Sequence, residues 1–246
     1  WSSFFGDKKP KEEIKNCNVV IMSGGMGKRL LPFTEVLPKP LIPVQGKPII
    51  DHIIDNFRTF GIRNFFLTLN FKSKILKSYF KSKKANKTKI SFVEETIPLG
   101  TIGSLKLLKS KLSANFFSIN CDIIVNYNFK EIYDFHEKND YEATIVTSIK
   151  NFEIPYGVCE TNNNGTLKNF VEKPSYNLFV NTGLYVFKKS VIKYIPKEKN
   201  FDIQKLIENL KIKLTTNFLN INSHIIVNYN FKENYYFHEK NDYEAT

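Results

Sequence analysis

The chain has 246 residues, 42% of them apolar and 24% charged, and a formal net charge of +12. Those fractions are ordinary for a soluble globular protein, and the length buries a substantial core in one large domain. No apolar run approaches the ~20 residues of a membrane span and no signal peptide opens the sequence. No membrane partner is therefore expected. Cys17, Cys121 and Cys159 are scattered without a C-x-x-C pair, which argues against a disulfide framework or a zinc site and for a reducing, cytoplasmic location. The chain opens on Trp1 and reads as a piece of something longer.

Residues 1–17 are a polar lead-in without helical or strand period, read as a linker from an upstream region. Val19-Val20-Ile21-Met22 has the length and bulk of a buried parallel strand. It breaks into Ser23-Gly24-Gly25-Met26-Gly27, where glycines allow a sharp turn and a close approach to a ligand. Lys28 and Arg29 follow at once, and Pro38-Lys39-Pro40 comes ten residues on. Strand, glycine turn and cations together present backbone N–H groups and positive charge to phosphate. Two better-known motifs fail on spacing. A P-loop would need glycine at Met22 and a hydroxyl residue at Arg29, and the dinucleotide fingerprint would need glycine at Leu30.

Pro48 can open a helix, and Ile49, Ile50, Ile53, Ile54 and Phe57 repeat on one helical face. Phe65–Leu69 reads as a strand, Lys72–Phe80 as a helix and Ile90–Val93 as a third strand. A helix from about Ile102 to Leu112 leads to a fourth strand, Phe116–Ile119. This alternation implies βαβ crossovers and a mostly parallel sheet, with ligands beyond the carboxyl ends of the strands. Lysines are spread throughout, with a local cluster between Lys81 and Lys89. Such an excess attracts anions, either nucleic acid or phosphorylated small molecules. Solvated lysines on a loop are the simpler reading of the cluster, and no helix-turn-helix, zinc or RNA-platform motif supports nucleic acid as a partner.

Pro98-Leu99-Gly100-Thr101-Ile102-Gly103-Ser104 places two glycines and two hydroxyls at a helix start, whose free N–H groups can hold an anion or a base edge. The structural alternative is a capped loop with Thr101 as N-cap. Asp122 stands just past the fourth strand, where a carboxylate beside a phosphate-binding turn is a natural Mg²⁺ ligand.

The segment G-G-x-G-x-R-L-x-P-x-T from Gly24 to Thr34, followed by P-K-P-L-I-P-V-x-G-K-P from Pro38 to Pro48, resembles the signature of the sugar-1-phosphate nucleotidylyltransferases. Lys28 departs from it, standing where that family usually has threonine. The resemblance implies an α/β, Rossmann-like three-layer fold with a mostly parallel mixed central sheet, of the nucleotide-diphospho-sugar transferase type. It also implies formation of an NDP-sugar and pyrophosphate from an NTP and a sugar 1-phosphate. Pro98-Leu99-Gly100-Thr101 resembles the nucleoside-holding loop of members that make GDP-mannose-like products, which favours GTP. Pro155-Tyr156-Gly157-Val158, Glu172-Lys173-Pro174 and Asn181-Thr182-Gly183-Leu184-Tyr185 resemble the family's Y-G-V, E-K-P and N-x-G-[IL]-Y segments.

On this reading Arg29 and Lys39 are the catalytic pair. Ser23, Gly24, Gly25, Gly27, Lys28, Pro98, Gly100 and Thr101 bind nucleotide. Gly157, Glu172, Lys173, Asn181 and Thr182 hold the sugar phosphate, and Asp122 carries Mg²⁺. The expected partners are NTP and sugar 1-phosphate, with a homo-oligomer admitted. The nucleotidyltransferase domain is expected over 18–212.

Residues 213–246 form an aberrant tail. Asn217–Thr246 repeats Asn115–Thr144 almost letter for letter, with His224 in place of Asp122 and Ser223 in place of Cys121. The family's closing W-x-D-I-G-like segment, whose aspartate is a second magnesium ligand, is not found. His224 is a poor substitute, because a hard cation prefers oxygen. This gap supports the alternative of a catalytically impaired relative that binds nucleotide or nucleotide sugar as a regulatory module.

Overall fold

A computed structural model describes residues 12–27, 31–83, 88–197, 199–213, 217–220 and 225–227. Strand β1 (Asn18–Met22) leads through the glycine turn to the short helix α1 (Phe33–Val36), a 3₁₀ turn at Lys39–Leu41 and a small hairpin of β2 (Pro43–Val44) and β3 (Lys47–Pro48). Helix α2 (Ile49–Arg58), β4 (Asn64–Leu69), α3 (Ser73–Lys81) and β5 (Lys89–Glu94) follow. A 3₁₀ helix at Gly103–Leu108 precedes β6 (Asn115–Asn120), β7 (Ile123–Val125) and α4 (Phe129–Lys138). The chain then runs through β8 (Ala143–Glu153), β9 (Val158–Thr161), β10 (Leu167–Val171) and β11 (Ser175–Lys188). It continues through a 3₁₀ helix at Lys189–Tyr194, α5 (Ile203–Lys213), β12 (Asn217–Asn220) and β13 (Ile225–Val227).

Seven strands form one mixed sheet in the order β12-β8-β11-β6-β1-β4-β5. Pairings among β6, β1, β4 and β5 are parallel, whereas β11 runs antiparallel to both β6 and β8. The expected three-layer α/β architecture is the one found. Val19 and Ile21 face a core built with α2, α3 and α4, while Val20 faces a second core built with the two long 3₁₀ helices and α5. Burial on both faces is why β1 reads as an unbroken apolar run. Its register pairs Met22 with Thr68 on one side and with Asn120 on the other.

The predicted α2 face is buried throughout, and Phe57 stacks on Phe129 with ring centroids 4.1 Å apart. The helix expected over 102–112 is instead a six-residue 3₁₀ helix. Ile102, Leu105 and Leu108 are all buried while Leu107 is exposed, and a three-residue repeat suits three residues per turn. Of the lead-in, residues 12–17 are described, and Ile14 and Cys17 sink into the core, with the Ile14 N–H donating to the Phe60 carbonyl at 2.8 Å. From the tail, β12 pairs with β8 in parallel. Strand β13 pairs antiparallel with β7, so two Ile-Ile-Val segments of identical sequence lie side by side. Among the described residues no helix is long and apolar enough to cross a membrane.

His136 on α4 is fully buried, with Nδ1 2.8 Å from Thr144 Oγ1 and no hydrogen-bond partner for Nε2 among the described residues. Burial, and secondarily the Lys188 ammonium, lowers its pKa from 6.5 to about 4. In that window the unfolded chain binds the proton and the folded chain does not, so stability is fully present above pH 6.5 and is lost as pH falls toward 4. The difference is worth roughly 3 kcal/mol. Urea unfolding midpoints between pH 7 and 4 should fall more steeply for the wild type than for His136→Gln; equal slopes would remove His136 as the cause.

Candidate active site

Because β1 and β6 are adjacent, parallel and in register at Met22 and Asn120, the residues that follow each strand leave the sheet side by side. From β1 comes the glycine turn. The Ser23 N–H donates to Thr68 Oγ1 at 3.1 Å and its hydroxyl donates to the Ile21 carbonyl at 3.3 Å. Ser23 is buried and ties the turn to the sheet. Gly27 has φ +66°, and a Cβ there would lie 2.8 Å from Thr34 Cγ2. Only glycine fits that bend. The Thr34 hydroxyl donates to the Gly27 carbonyl at 3.1 Å, and Lys72 Nζ donates to the Thr34 carbonyl at 3.0 Å. Turn and following loop are thus fastened from β1 to the start of α3. Gly25 has open space where a Cβ would be. Lys28 and Arg29 lie outside the described residues, as does His224.

From β6 comes Asp122. Its Oδ2 is 2.5 Å from Lys39 Nζ, in an ion pair whose side chains are 15% and 21% exposed respectively. Lys39 Cβ lies 3.4 Å from a Cβ built on Gly27, so turn, lysine and carboxylate form one group. Gly183 of β11 completes that side. It has φ +83°, and a Cβ on it would lie 2.5 Å from Asn120 Nδ2, two residues before Asp122. The Gly183 N–H donates to Asn181 Oδ1 at 3.0 Å, and Asn181 Nδ2 donates to the Tyr185 hydroxyl at 2.6 Å. Thr182 faces away. It is buried, donating to the Val146 carbonyl at 2.7 Å and accepting from the Leu184 N–H at 3.2 Å, at the bulge between Asn181 and Leu184.

The Pro98–Thr101 loop joins the turn through a residue the sequence reading left without a role. Glu95 Oε2 accepts from the Leu99 N–H at 3.1 Å, while Oε1 lies 2.7 Å from the position of a Cβ on Gly24. Burial raises the Glu95 pKa against the opposing effect of the Leu99 N–H. The loop's other side is clamped to α5. The Thr101 N–H donates to Asp202 Oδ1 at 3.0 Å and the Thr101 hydroxyl accepts from the Ile203 N–H at 2.9 Å. Thr101 does cap a helix, but one that begins a hundred residues later in the chain.

Gly157, Glu172 and Lys173 meet one another on the exposed β9–β10 hairpin. A Cβ on Gly157 would lie 2.9 Å from Glu172 Oε2, and the Lys173 N–H donates to the Tyr156 carbonyl at 3.3 Å. Lys173 takes the left-handed φ of 45°, uncommon for a non-glycine residue. None of the described ion pairs joins this group to Lys39 or Asp122. Cys121, next to Asp122, is fully sequestered; burial and then the neighbouring carboxylate push its thiol up to about 12. It is a packing residue and not a nucleophile.

Among the described residues no three His, Cys, Asp or Glu gather at one point. A cation on Asp122 would therefore draw most of its ligands from substrate phosphate and water, which is how Mg²⁺ binds, and a lone hard carboxylate fits it.

A glycine bend after one strand and an aspartate after its parallel neighbour, joined by a lysine, stand where open α/β sheets place their ligands. Residues 18–237 match the Nucleotidyl transferase family, and the chain belongs to it. It is 37% identical over 183 residues to a mannose-1-phosphate guanylyltransferase catalytic subunit beta from Drosophila pseudoobscura pseudoobscura, covering 72% of this chain and 49% of that protein. It is 38% identical over 187 residues to a mannose-1-phosphate guanyltransferase from Yarrowia lipolytica, covering 72% and 50%. The crystal structure of HddC from Yersinia pseudotuberculosis matches with a TM-score of 0.65 at 25% identity, over 90% of this chain and 97% of that one. The chain spans about half the length of the curated relatives it matches.

Gly183→Ala should force both a disfavoured φ and a clash with Asn120. The expected cost is at least ~1 kcal/mol, read as a lower urea midpoint, and the Asp122 loop should become more open to proteolysis. An unchanged midpoint would show that Gly183 does not hold this corner.

Proposed function

We propose that this chain transfers a nucleotidyl group, joining an NTP, with GTP favoured, to a sugar 1-phosphate and releasing pyrophosphate. The observation that carries the reading is the Lys39–Asp122 pair at 2.5 Å beside the Gly24–Gly27 bend. Family membership and the names of the relatives support the same reaction, and none of them favours a binding-only role.

A phosphate oxygen of the sugar 1-phosphate attacks the α-phosphorus, and the bond to the β,γ-pyrophosphate breaks. The attacking phosphate is largely ionised at pH 7, with a second pKa near about 6, so no general base is needed. What the reaction needs is in-line positioning and neutralised charge. In this proposal the amides of Gly24, Gly25 and Gly27, with Lys28 and Arg29, hold the triphosphate. Lys39 moves from Asp122 to the α-phosphate, and Asp122 would hold Mg²⁺, which would supply charge neutralisation. Gly157, Glu172, Lys173 and Asn181 receive the sugar phosphate, with Thr182 supporting Asn181 from the core side.

Glu95 supplies an argument for the base. A carboxylate there, close against Gly24 and beside the Pro98–Thr101 loop, accepts hydrogen bonds and has none to donate. Guanine presents two adjacent N–H donors on its Watson–Crick edge, which a carboxylate can accept together. The catalytic unit is assigned to residues 18–212, acting in the cytoplasm.

Pyrophosphate release from GTP and mannose 1-phosphate with magnesium tests the proposal. Lys39→Ala and Arg29→Ala should each lower turnover by about 10²–10³, or ~3–4 kcal/mol, with the circular dichroism spectrum unchanged. Near wild-type turnover in both variants, or GTP binding without any pyrophosphate release by the wild type, would overturn it.

A further inference from the structure

A cleft of about 690 Å³ lies between α2, α3 and the edge strand β5. Its apolar lining is Ile54, Phe80, Ile90 and Phe92, with the Phe80 and Phe92 rings 6.1 Å apart. Five cations, Lys47, Arg58, Lys77, Lys81 and Lys83, line it against two carboxylates, Asp51 and Asp55. Both carboxylates are already engaged. Asp55 accepts from Lys47 at 2.5 Å and from Arg58 Nη1 at 2.9 Å, and Asp51 accepts from Lys83 and from the Tyr79 hydroxyl. Lys77 is in turn paired with Glu94 at 2.5 Å, so five cations meet three carboxylates in and beside the cleft, which keeps a smaller positive excess.

A second observation points the same way. The Nε of Arg58 is buried and has no hydrogen-bond partner among the described residues. That atom is closed to a ligand, but the side chain as a whole is 32% exposed, and its outer N–H groups, one of which donates to Asp55, can meet a phosphate oxygen, an acceptor that suits guanidinium geometry. Lys81 is exposed at the rim and part of the lysine-rich run whose charge the catalytic reading does not use. The cleft also has a physical tie to the catalytic corner. Lys47 opens the second strand of the β2–β3 hairpin that follows the Lys39 turn, and that hairpin is fastened to α2 by His52 Nε2, 2.9 Å from the Val44 carbonyl.

We propose that this cleft is a second ligand site, which takes a soluble phosphorylated small molecule with a flat apolar ring. The ring lies along Phe80 and Phe92, and the phosphate faces Arg58 and the lysines. Apolar surface with a few convergent charged groups is the general composition of a small-molecule pocket, and the volume is of the usual size. The assignment is independent of the reaction proposed above.

Pyridoxal 5′-phosphate is the probe, since it carries ring and phosphate and its aldehyde forms a reducible Schiff base with lysine. The full chain is treated with it, reduced with borohydride, digested and mapped by mass spectrometry. The expected result is saturable labelling of Lys47, Lys77, Lys81 or Lys83 ahead of the other lysines. It should be competed by inorganic phosphate and weakened about tenfold in Lys81→Glu, an exposed substitution checked by thermal melting. Lys39→Ala should leave this labelling intact, which separates the cleft from the catalytic corner. Even labelling across the exposed lysines, equal labelling by phosphate-free pyridoxal, or no effect of Lys81→Glu would each overturn the proposal.

Discussion

The parallel register of β1 on β6 is the constraint from which the candidate site follows. With Met22 opposite Asn120, the turn that begins at Ser23 and the segment holding Asp122 leave the sheet at the same height. Slipping that pairing by one residue would reverse which side chains face each core, exposing Val19 and Ile21 to the wrong layer. The apolar burial of β1 therefore fixes where Asp122 stands. Nothing in the Asp122 segment itself specifies its distance from the glycine turn.

The lysine–aspartate pair is best understood as a resting arrangement. An exposed ion pair is worth about 0–1 kcal/mol, whereas stripping the partner from a fully buried charge costs about 3–5 kcal/mol. At 15% and 21% exposure this pair lies between those limits. Each charge is partly desolvated, so each gains from a new counter-charge of the right sign. A phosphate approaching Lys39 and a cation approaching Asp122 supply both at once. The acidic side of the loop is organised differently. Glu95 has no cation beside it among the described contacts; burial lifts its pKa and a backbone N–H moderates the effect.

Much of this was legible from residue patterns. The buried face of α2 and the continuous run of β1 follow from period and bulk, and Asp122 from its place after a strand, whereas Lys39 is singled out by the family resemblance. What the sequence conceals is direction and distance. Ser23 and Thr182 are polar residues in motif positions, yet both hydroxyls turn inward to backbone carbonyls, because strand parity and a bulge decide the side. The clamp of Thr101 on Asp202 spans 101 residues, a separation with no local period to mark it. Glu95 stood in view within Glu94-Glu95, but a carboxylate in a loop carries no sign of being buried against a glycine. The 3₁₀ helix at Gly103–Leu108 shows the reverse case, since its three-residue spacing is present in the sequence but also fits the commoner α-helical period.

The exposed ribbon has a mechanical consequence. From Ile149 to Asn181 nearly every residue is exposed, and β9 and β10 pair only with each other. Glu172 and Lys173 thus ride on backbone that can open without disturbing either core, whereas Lys39 stands on a 3₁₀ turn whose Pro40 and Leu41 are buried and Asp122 between the buried strands β6 and β7. By construction the Lys39–Asp122 pair is a rigid anvil and the exposed ribbon a compliant arm.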